Sequence, residues 1–322
     1  IIGLSEELTR KGHSVKIIGI ASGKFKLQTE VEFINLGNSL SFSYGGTTSN
    51  ISLSPLILLK IKNVFKKYHF DVIHIRNCYH HLAITFYKSA VKHNVPFVFT
   101  AHGTLDSVAR TKYMKKPKKF LDKLYTKKMI NHASALHSLG NSEYKEFLSF
   151  GAEPNKIFRI DLGVKPEDLE ITESTDIFSK FGIDKENFPY ILFLGRVVKK
   201  KGIELLFQAF AKYRPKNLNI IIAGPATDNY KNELIQIANK LKIANSVKFI
   251  GSVYGSEKAQ LLQHAKIFAL TSYSDIHPVA VEEALFMGNP VLITKNCDFP
   301  EIEEYDAGVV VDATLDSVYA GL

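Results

Sequence analysis

Cysteine is scarce: the 322 residues contain two, Cys78 and Cys297, far apart in the chain. Two isolated thiols make no disulfide framework, and they fit a reducing compartment. No apolar run reaches the roughly 18 residues a membrane-spanning helix needs. The most apolar candidate, SPLILLKIKNVF, is broken by lysines and reads as an amphipathic helix. The opening IIGLSEELTRKGH has no basic n-region and no cleavage site, so it is not a signal peptide. Repeats and low-complexity segments are absent. No G-x-G-x-x-G follows a strand-like run, which argues against a nicotinamide-dependent dehydrogenase.

What is present is a globular composition, 45% hydrophobic and 23% charged, at a length that suits two domains. The net charge of +9 is unevenly spread. Residues 1–165 hold 25 Lys and Arg against 11 Asp and Glu, and the remainder holds 16 against 21. A basic half beside an acidic half points to separate domains with separate partners. Short β-branched runs alternate with helical patterns throughout. SVKIIGI, VEFINLG, DVIHIR, PFVFTA and SALHSLG lie in the first half. YILFLG, NIIIAG, VKFIG, IFALTS, PVLIT and GVVVD lie in the second. Continuous apolar runs separated by helices mark parallel strands covered on both faces, so each half is expected to be a doubly wound α/β domain. The polar, turn-rich stretch 166–185 reads as the linker between domains at 1–165 and 186–322.

Ligands of such sheets bind beyond the carboxyl ends of the strands, so the loops there carry the functional reading. After YILFL comes GRVVKKKGIELLFQAF. Gly195 permits a tight turn, and Arg196 and Lys201 lie near the start of a helix. Two cations beside unpaired helical N–H groups suit a phosphate or diphosphate. A solvated turn, with Lys199, Lys200 and Lys201 all facing water, fits the same residues. After IFALTS comes YSDIHPVAVEEALFMGNPV, read as a helix over 279–287 ended by Gly288-Asn289-Pro290. Pro278 suits the first helical turn, where its missing N–H costs nothing. Asp275 and Glu283 can face one crevice as two carboxylates for sugar hydroxyls. Equally, Asp275 can cap the helix, with Glu282 and Glu283 on a solvated face.

Taken together, GRVVKKKG and SDIHPVAVEEALFMGNPV resemble the family 4 glycosyltransferases, which carry a G-R-x(4)-K-G loop and an E-x(7)-E motif running into E-A-x-x-x-G-x-P-V. The matches are Gly195, Arg196, Lys201 and Gly202, then Asp275, Glu283, Ala284, Gly288, Pro290 and Val291. IIIAGP, VKFIGSV and KIFRIDLGV match as well. Asp275 departs from the family, which has a longer glutamate there. The resemblance implies the GT-B fold, two Rossmann-like domains facing across a cleft. It implies that Arg196 and Lys201 hold the diphosphate of a nucleotide-sugar and stabilise its charge as the glycosidic bond breaks. Glu283 would bond the ribose, Asp275 the donor sugar, and the backbone around His277, Pro278 and Val279 the phosphates or sugar. His102, which follows PFVFTA in the first half, would face the donor sugar. The resemblance also places a first strand and glycine-rich loop before Ile1 and further helices beyond Leu322, so the chain reads as a fragment cut at both ends.

The implied activity is retaining transfer from a UDP- or GDP-linked sugar to a glycan or lipid-linked acceptor, in cell-surface polysaccharide or glycolipid synthesis. No cofactor or metal is expected, and no D-x-D motif demands one. A catalytically impaired nucleotide-sugar-binding protein of the same fold is the alternative. His80 and His81 are set aside as metal ligands, because adjacent residues point apart and no further ligands lie at usual spacing. Residues 110–128 carry nine cations and one acid with interleaved aromatics. They read as a solvated amphipathic helix or as a contact with an anionic membrane surface; nucleic acid is not expected. The location implied is cytoplasmic, with peripheral attachment to the inner face of the cell membrane.

Overall fold

In a computed structural model of the chain, which describes residues 2–21, 30–37, 40–44, 47–51, 56–105, 121–172, 176–184 and 188–322, the apolar runs form parallel strands. The chain divides into two compact units. One comprises Ile1–Ser138 with Glu143–Arg159, the other Leu139–Ser142 with Ile160–Leu322.

In the first unit, helix α1 (Ile2–Arg10) leads through a turn into β1 (Lys16–Gly19), which pairs in parallel with β2 (Glu32–Asn35). An antiparallel hairpin, β3 (Leu40–Tyr44) and β4 (Thr47–Ile51), follows; no periodicity in the sequence had marked it. Helix α2 (Leu56–Lys67), β5 (Ile73–Arg76), α3 (His81–Lys92) and β6 (Phe97–Thr100) alternate, then α4 (Lys127–His132), β7 (Ala135–Ser138), α5 (Asn141–Ser149) and β8 (Ile157–Arg159). Strands β5, β6, β7 and β8 make a parallel sheet in that order. Its core includes Phe97, Phe99, Leu136 and Phe147, all within 2% of full burial. Cys78 belongs to this core, and burial lifts its thiol to a pKa of about 12.

The second unit is built on six parallel strands: β9 (Tyr190–Leu194), β10 (Asn219–Ala223), β11 (Val247–Gly251), β12 (Ile267–Leu270), β13 (Val291–Thr294) and β14 (Gly308–Val311), in spatial order β11-β10-β9-β12-β13-β14. Helices α6 (Ile203–Tyr213), α7 (Asp228–Lys240), α8 (Gly255–His264), α9 (Val279–Phe286) and α10 (Leu315–Gly321) cross between or follow them. Every residue of β9 and β13 is buried, which is why these strands read as unbroken apolar runs. Removing each such Ile, Leu or Phe from water contributes roughly 1.5–3 kcal/mol. Cys297 lies in this core, its pKa also about 12 through burial. Among the described residues, no helix is long and apolar enough to cross a membrane.

Candidate functional site

The order of the second sheet has one reversal. From β9 the chain steps outward through β10 to β11, and β12 then returns to the other flank of β9 and leads to β13 and β14. Loops leaving β9 and β12 therefore part in opposite directions, opening the crevice where doubly wound sheets bind ligands. Arg196 and Lys201 follow β9, and Asp275 follows β12.

The two loops are stitched together. Lys199–Lys201 form a single 3-10 turn, and Gly202 follows in the left-handed conformation (φ 60°, ψ 30°). A Cβ on Gly202 would lie 2.1 Å from the carbonyl oxygen of Thr271, so only glycine lets the loops approach so closely. Thr271 Oγ1 donates to Gly202 O (2.7 Å), Ser272 Oγ to Lys200 O (3.0 Å), and the Tyr273 N–H to Lys200 O (2.8 Å). Lys201 Nζ ends this seam in an ion pair with Asp275, the two side chains 11% and 15% exposed. The sequence reading had aimed Lys201 at a ligand beside Arg196; in the structure Asp275 holds it, because a nearly buried ammonium needs a counter-charge. Arg196 is exposed and has no hydrogen-bond or ion-pair partner among the described residues.

The loop after β12 turns sharply at His277, a non-glycine residue at φ +45°. Its ring is 3% exposed, stacks on Phe299 at 4.2 Å, and shares a 2.7 Å hydrogen bond with Glu282 through Nε2. Its Nδ1 is buried without a hydrogen bond among the described residues, with Asp161 Oδ1 at 3.9 Å. Pro278 sits one position earlier than expected. It precedes the helix in an extended conformation (ψ 117°), and the helix runs Val279–Phe286, with Met287 just past its end. Asp275 does not cap this helix, and neither glutamate is merely solvated. Glu283 Oε1 takes a 2.7 Å ion pair from Lys258 of α8, with side chains 15% and 14% exposed. The other Glu283 oxygen has no partner among the described residues. A depression of about 360 Å³ lined by Val197, Gly224, Pro225, Asp228, Phe249 and Ser252 lies along the same rim, at the ends of β9, β10 and β11.

In the first unit, His102 follows β6 at φ +52°. Arg76, at the end of the adjacent β5, donates its Nε–H to His102 Nε2. Burial first, then the charges of Arg76, His137 and His74, lower the His102 pKa to about 3. The backbone N–H of Gly103 is held by the buried Glu143 at 3.0 Å. His80 and His81 do not point apart as adjacent residues were expected to. Their rings lie 4.7 Å apart, because His80 turns to cap α3, accepting from the Leu82 N–H at 3.3 Å. Among the described residues, no three His, Cys, Asp or Glu side chains group as a metal site. Of the basic segment 110–128, residues 110–120 lie outside the described residues.

A profile described as Glycosyltransferase Family 4 matches residues 1–168, and one described as Glycosyl transferases group 1 matches residues 174–320. The chain belongs to Glycosyltransferase Family 4. This glycosyltransferase is 23% identical over 312 residues to an uncharacterized glycosyltransferase of Methanocaldococcus jannaschii, a match covering 94% of this chain and 77% of that one. It is 23% identical over 274 residues to the D-inositol 3-phosphate glycosyltransferase of Stackebrandtia nassauensis, covering 81% of this chain and 61% of the relative. The crystal structure of HepE from Anabaena, in complex with UDP and glucose, superposes with a TM-score of 0.75 at 19% identity, covering 99% of this chain and 85% of that one. At such identity the likeness shows the fold, the mixed α/β arrangement of parallel sheets found in GT-B glycosyltransferases.

Two residues of this glycosyltransferase's candidate site, Lys258 and Arg76, carried no sequence signal, and the IIIAGP match gave no reason for its glycine, Gly224. Lys258 meets Glu283 from a helix 25 residues upstream. Arg76 meets His102 across 26 residues. Gly224 is required because a Cβ there would lie 1.9 Å from the carbonyl oxygen of Gly195. Only the pairing of β9 with β10 exposes that last constraint.

Proposed function

We propose that this glycosyltransferase moves a hexose, with retention of configuration, from a UDP- or GDP-linked donor to a glycan or lipid-linked acceptor. The observation that carries the reading is Arg196, exposed and without a partner among the described residues, on the loop whose Lys201 interlocks with Asp275 at the strand-order reversal. A guanidinium there can take two oxygens of a diphosphate at once. As the glycosidic bond lengthens, negative charge gathers on the leaving diphosphate. Arg196, with Lys201 behind it, stabilises that charge without a metal. The first N–H groups of α9, at Val279 and Ala280, lack carbonyl partners within the helix and suit phosphate oxygens. Glu283, steadied by Lys258 through one oxygen, offers the other to the ribose hydroxyls. Asp275 meets the sugar hydroxyls, and the rim depression takes the base. His102 contacts the donor sugar. In this reading the protein works in cell-surface polysaccharide or glycolipid synthesis, in the cytoplasm, with 110–128 against an anionic inner membrane face.

A binding-only reading has one observation in its favour: Lys201 is engaged by Asp275 and not turned outward. Turnover separates the two readings. The first experiment is thermal unfolding of the chain with UDP, GDP and ADP, each with and without its sugar, beside Arg196→Ala. Ligand binding to the folded state alone raises the midpoint. The expected result is a rise with one uridine or guanosine diphosphate, lost in Arg196→Ala, whose midpoint without ligand equals that of the wild type. No rise with any nucleotide overturns the donor site, and wild-type turnover by Arg196→Ala refutes the role given to that residue.

A further inference from the structure

The Arg76–His102 contact has a chemical consequence for the first unit. An imidazole nitrogen that accepts from a guanidinium N–H must carry a lone pair, so Nε2 of His102 is unprotonated and the ring proton sits on Nδ1. We propose that Arg76 is a positioning residue that holds His102 as the neutral Nδ1–H tautomer, so that His102 meets its ligand as a hydrogen-bond donor and not as a proton acceptor. The ligand class is an oxygen acceptor such as a sugar hydroxyl. This assignment of ligand rests on the reading of His102 as a donor-sugar contact.

Further features support the arrangement. Arg76 and His102 stand at the carboxyl ends of neighbouring parallel strands, where Arg76 pairs in register with Thr100. The backbone on either side of His102 is fixed, since the Gly103 N–H is held by Glu143 and Thr104 Oγ1 donates to Ala101 O at 2.6 Å. Among the described residues no carboxylate pairs with Arg76, so its charge stays beside the imidazole and opposes a second proton there. The other titratable rings near His102 are His74 and His137; His74 bonds Thr100 Oγ1 at 2.7 Å through Nε2, and neither ring supplies a negative charge. His102 is half-buried and its Nδ1 has no partner among the described residues, which leaves its N–H for a ligand.

The test is the ring-nitrogen NMR spectrum of the ¹⁵N-labelled chain at neutral pH, with His102 assigned by loss of its signal in His102→Asn. The expected wild-type pattern is a protonated Nδ1 and a bare Nε2, lost in Arg76→Met, which keeps the length of the stem but donates nothing. Arg76→Lys, which still donates from a cation, recovers the tautomer and most of the turnover. In sugar transfer, Arg76→Met lowers kcat by about tenfold, the scale of one hydrogen bond lost at the transition state, with the KM for the donor little changed. Thermal midpoints of both variants establish that they are folded. A proton on Nε2 in the wild type, or an unaltered tautomer in Arg76→Met, overturns the proposal. So does an altered tautomer with undiminished kcat. If the chain binds no nucleotide-sugar, the donor reading fails in its own assay, and the spectrum still decides whether Arg76 sets the ring.

Discussion

Lys201 and Asp275, 74 residues apart in sequence, close an ion pair between side chains only 11% and 15% exposed. Removing one partner leaves the other charge poorly solvated, which costs more than the pair itself is worth. Lys201→Met is therefore expected to lower stability by about 2–4 kcal/mol. Asp275→Asn should cost less, because an amide oxygen still accepts from the ammonium. Urea unfolding measures both, and an unchanged midpoint for Lys201→Met would show that the pair does not hold the two loops.

Gly202 makes the same seam possible from the backbone side. A Cβ there meets Thr271 O at 2.1 Å, and the residue is left-handed. Gly202→Ala must shift one loop away from the other, at a cost of at least about 2 kcal/mol. Gly182, also at positive φ (58°), has no atom within 4 Å of an added Cβ. Gly182→Ala should cost about 1 kcal/mol. Equal losses in the two variants would show that the close approach is not limiting.

His277 and Glu282 form a buried polar pair inside an apolar setting against Phe299. Glu282→Leu alone strands the imidazole and should destabilise by about 1–3 kcal/mol. The double change Glu282→Leu with His277→Phe removes both polar partners, keeps a ring on Phe299, and should recover most of that loss. A double variant no more stable than Glu282→Leu would show that the loop turn depends on the histidine itself.

The acid side of the stability profile should carry the mark of two histidines. Burial lowers His74 to about 4 and His102 to about 3, from an ordinary value of 6.5. Below 6.5 the unfolded chain takes up these protons and the folded chain does not. Stability is thus full above pH 6.5 and falls as pH drops toward 3. The double variant His74→Gln with His102→Asn should flatten that slope between about pH 6.5 and 4, read from unfolding midpoints across the range. An unchanged slope would locate the acid sensitivity elsewhere.

Much of the architecture was legible because burial on both faces writes itself as apolar runs. YILFL, NIIIA, IFAL and VLIT each became a central strand. The hairpin Leu40–Ile51 was not legible, since LSFSY and TTSNI carry no apolar run. At the site, the motifs located the loops but not the partners. The spacing of Arg196 and Lys201 suggested equal roles, yet one is exposed and the other is held by Asp275. That difference arises from which strand neighbours β9, a fact of sheet order and not of local sequence. Lys258 and Arg76 escaped notice for the same reason, each meeting its partner across the fold.

The two buried thiols make the molecule convenient for labelling. Cys78 and Cys297 are enclosed, and burial pushes both thiols up to about 12, which keeps them from ionising near neutral pH. Maleimide reagents should pass both by while the chain is folded. A cysteine introduced at Tyr254, whose side chain is largely in solvent, would then be the sole site of dye attachment, with no need to engineer the native cysteines away.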